Sequence, residues 1–337
     1  MAPREVRQPE VARLAALLLA LVLVLPVAQA GHTALVAGAF LVEFLSQGRY
    51  APLSGLTSAP TREALAVPGV AADRYVPAGL GGGRRLVLVH GATPEGKDDP
   101  RLREAAELLA RSGFDVAVPT IPGLTRGRLR PEDVGAVVAT LAARPGPAVV
   151  LGVSVGSGPA LLAAADPSVR DRVSAVVSLG GYASALEVVR FWLTGTYEYG
   201  GVRGRVARDP RLVGEFVRAN ADLLDPRARA ELMTGDPERA ARFLAAPPPD
   251  LRRYLDSMSP LGVAREIPGR LVLVHGRSDP AVPYTESLRL AAARPGNTTL
   301  LLVGILEHVE GGGGRTGRQD ARDLLELWRA MYALLAG

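Results

Sequence analysis

Gly152-Val153-Ser154-Val155-Gly156 follows a β-branched run, Ala148-Val149-Val150-Leu151, and precedes a run of small residues, Pro159-Ala160-Leu161-Leu162-Ala163-Ala164-Ala165. The pattern reads as strand, sharp turn and helix, with a serine at the turn. A serine on so tight a turn sits in a strained backbone conformation with its hydroxyl pointing out. Side chains two residues to either side would collide, so glycines stand there. In a chain with 38 glycines the spacing G-x-S-x-G arises by chance. The strand–turn–helix setting is what makes Ser154 a candidate nucleophile.

Serine is a poor nucleophile at neutral pH and needs a base oriented by a carboxylate. In this architecture the chain order is serine, acid, histidine. The histidines are His32, His90, His275 and His308, and only the last two follow Ser154. His275 ends the apolar strand Leu271-Val272-Leu273-Val274. Asp279 comes just after it, in a Ser-Asp-Pro turn, where turn duty and acid duty are compatible. His308 lies beyond the next apolar run, Thr299 to Val303, and is the histidine left to act as base. Glu187, after the preceding strand, is the rival for the acid.

On these residues the chain resembles an α/β-hydrolase over residues 60 to 337. The resemblance is carried by the turn around Ser154, the strand ends His90-Gly91 and His275-Gly276, Asp279 with Val282-Pro283, and His308. It is nearest to serine esterase-like and dienelactone-hydrolase-like members, without fixing a subfamily. Dienelactone hydrolases proper use cysteine as nucleophile, and this chain has no cysteine. Haloalkane dehalogenases place an aspartate where Ser154 stands. The layout implies an oxyanion hole from the backbone N–H of Val155 and one from the loop after the third strand, for which Ala92 is the choice. His90 reads as a brace for that loop rather than as a catalytic group.

The remaining composition narrows the partners. The formal net charge is +5, and the basic residues are arginines except for Lys97. They are scattered among acids without an aromatic-interleaved stripe, so no nucleic-acid partner is expected. Without cysteine, and with four dispersed histidines, neither a metal site nor a cofactor is called for. Lys97 lies in Glu95-Gly96-Lys97-Asp98-Asp99-Pro100, just past the oxyanion loop, and is open to a role at the site mouth. Asp99-Pro100 reads as a helix cap with proline at the first helical position.

Residues 1–46 form an apolar N-terminal segment. Arg4, Arg7 and Arg13 precede an uncharged run from Leu14, and charge returns at Glu43. Two readings compete: an uncleaved membrane anchor, long enough to span a bilayer, or a signal peptide cleaved after Ala28-Gln29-Ala30. The apolar stretch Ala34 to Val42 favours the anchor. In either case the arginines stay inside and the following domain faces outward, in the cell envelope or beyond it.

Residues 47–62 read as a linker. The domain then spans 63–337, opening with a hairpin around Pro68-Gly69. Strands at 85–89, 114–118, 147–151 and 172–179 alternate with helices, which predicts a mostly parallel sheet covered on both faces. Leu-Val-Leu-Val-His-Gly occurs twice, at 86–91 and 271–276, as two equivalent strand ends. From about 183 to 267 the alternation is interrupted by helical segments at 186–194, 209–224, 226–234 and 237–246, a cap insertion. Its aromatics include Phe191, Trp192, Tyr197 and Phe216. The fold class expected is therefore α/β, an α/β-hydrolase with a helical cap. The function expected is cleavage of a carboxylic ester or related small acyl substrate through an acyl-enzyme. A peptidase or acyltransferase would use the same triad, and a non-catalytic binding module would normally have lost part of it.

Overall fold

The computed structural model describes residues 8–79, 83–208, 210–306 and 318–337. The chain begins with helix α1 (Gln8–Leu45) and a short helix α2 (Pro52–Leu56). A hairpin of β1 (Thr61–Val67) and β2 (Val70–Val76) follows, paired Val67 to Val70 across the expected Pro-Gly turn. Next come β3 (Arg84–Val89), α3 (Pro100–Arg111), β4 (Phe114–Pro119), α4 (Asp133–Ala142), β5 (Ala148–Val153), α5 (Ser157–Ala165) and β6 (Val173–Leu179).

An insertion then carries α6 (Ala185–Thr194), β7 (Thr196–Tyr199), β8 (Val202–Arg205), α7 (Pro210–Ala219), α8 (Pro226–Met233), α9 (Pro237–Ala245) and α10 (Pro249–Ser257). The chain returns through β9 (Arg270–Gly276), α11 (Thr285–Ala293), β10 (Thr298–Val303) and α12 (Arg318–Ala336).

Eight strands form one sheet in the order β1-β2-β4-β3-β5-β6-β9-β10. From β4 to β10 every pairing is parallel. The β2–β4 pairing is antiparallel. Buried runs such as Leu86-Val87-Leu88-Val89 are apolar on both faces because helices cover both. One face packs on α4, α5 and the base of the insertion, the other on α3, α12 and the end of α1.

The helix caps follow from sequence. Asp99 accepts from the amides of Arg101 (2.9 Å) and Leu102 (3.2 Å), with Pro100 first in α3. Residues 47–62, expected as a linker, are held to the domain. Leu53 is buried, the Ser54 amide donates to the Glu43 carboxylate at 2.9 Å, and Arg111 donates to the Thr57 carbonyl at 2.6 Å.

The insertion is helical as expected, with one addition: β7 and β8 form a two-stranded hairpin. Its signal was present in Tyr197-Glu198-Tyr199-Gly200-Gly201. Both glycines have positive φ, 59° and 80°, the tight turn that two-residue hairpin loops favour. The two ends of the insertion are tied together. The Tyr182 hydroxyl donates to the Met258 carbonyl (3.1 Å), and the Leu261 amide to the Ala183 carbonyl (2.9 Å). The buried Glu286 carboxylate accepts from the Ala183 and Ser184 amides at 3.1 and 2.9 Å. Burial pushes this carboxyl above its usual range, against those bonds and nearby Arg289.

A buried charge on β4 gives a stability prediction. Asp115 is 2% exposed and receives bidentate pairs from Arg74 (2.9 and 2.6 Å) and Arg144 (2.8 and 2.5 Å). Burial alone would raise its pKa, but the two guanidiniums outweigh burial and hold it below the usual carboxylate value. The stabilisation is then fully present above the unfolded value, about pH 4. It is lost as pH falls through the lower folded value. Asp115→Asn should cost roughly 2–3 kcal/mol at neutral pH, less than a fully buried pair because both arginines are partly solvated. The wild-type and variant unfolding free energies should converge in acid. Equal loss at every pH would refute the account.

Candidate functional site

Ser154 follows β5 and opens the short turn into α5. Its φ is +52°, and among the described residues only Gln47 and Asn297 share this left-handed conformation without being glycine. Asparagine tolerates that region because its side chain bonds locally. Serine there costs of order 1–3 kcal/mol, strain that persists where the surroundings impose it.

The surroundings here are backbone. A side chain on Gly152 would come within 2.5 Å of the Ser157 Cα, and one on Gly156 would overlap the His90 carbonyl. A first side-chain carbon at residue 91 would lie 3.1 Å from the Ser154 Cβ. The glycines at 91, 152 and 156 thus let three backbone segments close around Ser154.

The loop after β3, carrying Gly91 and Ala92, is consequently pressed against Ser154. Val155 is buried in the first turn before α5, a position whose N–H groups lack partners within the helix. His90 is 1% exposed and both its ring nitrogens are occupied. Nε2 accepts from the Ile121 amide at 2.8 Å, so the proton sits on Nδ1 and is donated to the Gly91 carbonyl at 2.7 Å. Burial also lowers its pKa, against the Gly91 bond. The ring braces the Gly91 loop, as its sequence position led us to expect.

Asp279 follows β9, two strands from β5 on the same edge of the sheet. It is 4% exposed. Oδ1 accepts from the amides of Ala281 (2.8 Å) and Val282 (2.9 Å), and Oδ2 lies 3.4 Å from His275 Nε2. The Val282 carbonyl can only accept, so His275 carries its proton on Nε2, 2.9 Å away, and Nδ1 accepts from the Ser287 hydroxyl at 2.8 Å. The indole of Trp192 in α6 donates to the Ala281 carbonyl at 2.7 Å and meets Phe216 edge-on at 4.9 Å. This contact couples the insertion to the Asp279 turn. Nothing local in sequence signals it, since 89 residues separate its partners.

The other candidates are placed as follows. His308 lies outside the described residues. β10 precedes it and pairs parallel with β9, so it ends on the edge that carries Asp279. Glu187 is engaged by Arg190 at 3.0 Å and Arg289 at 3.6 Å. Lys97 is 19% exposed and bonds Asp98 (2.9 Å) and Asp73 (3.2 Å). Arg62 reaches the same two carboxylates. The lysine is thereby part of a charge network joining the loop after β3 to β1 and β2. Among the described residues, no group of three or more histidines and carboxylates is disposed to hold a metal.

The Alpha/beta hydrolase family matches residues 86–314. No curated protein matches the chain. Among solved structures, a Mycobacterium tuberculosis puromycin-hydrolyzing peptidase is 22% identical with a TM-score of 0.51, over 82% of this chain and 38% of its own. A Pyrococcus horikoshii acylaminoacyl peptidase is 15% identical with a TM-score of 0.50, over 83% of this chain and 42% of its own. A meta-cleavage product hydrolase from Pseudomonas fluorescens is 17% identical with a TM-score of 0.46, over 82% and 98%. The chain thus spans about two fifths of the length of the two peptidases, and at these identities the likeness is one of fold.

Proposed function

Because the chain belongs to the alpha/beta hydrolase family, we propose that it is a serine hydrolase cleaving a carboxylic ester or related acyl compound through an acyl-enzyme. The observation that carries this reading is the strained Ser154 turn, with the Gly91 loop against it and the Asp279 turn on the same sheet edge. Strands two apart are about 9.6 Å from one another, a gap that one imidazole between Ser154 and Asp279 would fill. In this mechanism the Ser154 hydroxyl attacks the acyl carbonyl while His308 takes its proton. The Val155 and Ala92 amides stabilise the oxyanion. His308 then protonates the leaving group, and Asp279 holds its tautomer and charge. Water, activated by the same histidine, releases the acid.

The test is labelling by a fluorophosphonate probe mapped to Ser154, followed by turnover on a panel of esters and peptide bonds. Peptide-bond cleavage without ester cleavage would replace the esterase reading by a peptidase.

We further propose that α1 anchors the domain to a membrane. The stretch Val27–Leu45 is long and apolar enough to cross one. One face of the stretch after Ala34, however, has partners inside the domain, while Leu35 and Val42 on the other stay exposed. Ala37 and Leu41 are buried, and the Trp328 indole of α12 donates to the Ala34 carbonyl at 3.0 Å. The spanning length is therefore assigned to Leu14–Thr33, about 30 Å of helix. Full-length protein should resist carbonate extraction and retain its N-terminus. Soluble protein beginning at Gly31 would make the segment a signal peptide, with Gly31–Leu45 left as the domain's first helix.

A further inference from the structure

The insertion and α11 enclose an open cleft of about 670 Å³ whose lining includes neither Ser154 nor Asp279 and whose charged walls are Arg190, Arg203, Arg205, Arg289, Glu187 and Glu198. Four arginines face two glutamates, and the acids are unevenly used. Glu187 is held by Arg190 and Arg289, and Arg289 also donates to Glu286 at 3.0 Å. Arg203 and Arg205 are exposed and pair with no carboxylate among the described residues. Glu198 stands opposite Arg203 in the β7–β8 register without forming an ion pair with it. The surplus charge is thus concentrated on β8.

The geometry of that surplus is held in place. Two-stranded hairpins are marginal alone, yet this one is fastened through Tyr197. Its ring covers Gly204 across the hairpin and meets Phe191 of α6 at 6.0 Å and Tyr284, just before α11, at 6.1 Å. Arg203 and Arg205, two residues apart on one strand, leave the same face about 6.6 Å apart. Arg289 is fixed by the Glu198 carbonyl (2.8 Å) and by the Tyr199 ring, 4.4 Å from its guanidinium carbon.

We propose that this cleft is an anion-binding site for a phosphate-bearing ligand, with Arg203 and Arg205, unpaired among the described residues, as its contacts and the ion-paired Arg190–Glu187–Arg289 cluster as the fixed wall they face. Planar guanidiniums bind phosphate oxygens bidentately, and a pair at this spacing suits a diphosphate or a phosphodiester with a second polar group. None of its four arginines is assigned a role in the chemistry of Ser154.

The test uses the full chain in neutral detergent micelles at low salt. One arm titrates inorganic pyrophosphate by calorimetry; the other titrates phosphatidylglycerol mixed into the micelles. Saturable one-to-one binding is expected in at least one arm, and the arm that saturates identifies a soluble phosphate or a lipid headgroup as the source. Arg203→Ala/Arg205→Ala should weaken it at least tenfold. Arg252→Ala/Arg253→Ala, removing two exposed arginines of α10 that already pair with Asp256 and Asp250, should not. Both β8 side chains are exposed, so an unchanged melting temperature and unchanged fluorophosphonate labelling check that the variant is folded. Absence of saturable binding in both arms, or binding equal in wild type and the β8 variant, overturns the proposal.

Discussion

Ser154→Ala is expected to abolish fluorophosphonate labelling and to lower turnover on the best ester by about 10⁴–10⁶-fold. The size follows from what is lost and what remains. On the proposed mechanism the variant loses the covalent route, while the Gly91–Ala92 loop and the Val155 amide stay, so a residual rate above water is expected from the proposed oxyanion donors. The backbone consequence is small. Residue 154 is held at φ +52° by segments that approach through glycines, and alanine is no more comfortable there than serine. The variant should therefore fold with a melting temperature close to wild type, separating loss of chemistry from loss of structure. Labelling at another residue, with Ser154→Ala still active, would remove the assignment.

Asp279→Asn is expected to lower turnover by about 10⁴-fold while leaving the fold intact. In the proposed mechanism the carboxylate does two jobs that this substitution separates. Its Oδ1 shapes the turn by accepting from the Ala281 and Val282 amides, and an asparagine oxygen can accept both bonds. What asparagine cannot do is hold the base in the correct tautomer and offset its charge. His308→Ala should be at least as damaging, and the double variant little worse than His308→Ala alone, because the residues act as a unit. Trp192→Phe tests the same turn from the insertion: it removes the bond to the Ala281 carbonyl but keeps a ring against Phe216. It should lower turnover about tenfold without altering the labelling site. If Asp279→Asn retains near-wild-type turnover and Glu187→Gln does not, the acid has been misplaced.

The amino-acid sequence alone determined the features that local sterics dictate. Gly152 excludes a side chain from a turn built of contiguous residues, whereas Gly156 makes room for the His90 carbonyl that only the tertiary structure brings there. The Asp99-Pro100 cap satisfies amides two and three residues on. Alternating apolar runs produced the parallel sheet. Where a residue's role depends on a distant partner, only the tertiary structure decided.

The identical hexapeptides at 86–91 and 271–276 each carry, before their final glycine, an imidazole, and the two take opposite tautomers because one Nε2 meets an amide N–H and the other a carbonyl oxygen. Lys97, open to a substrate in sequence, is claimed by carboxylates on β2 and in its own turn. The apolar stretch from Ala34 to Val42 read as membrane span until α12 supplied a surface for one face of it, Phe40 and Leu41 included. Hydropathy records that a side chain avoids water. Whether lipid or a helix some 290 residues away excludes that water is settled by packing.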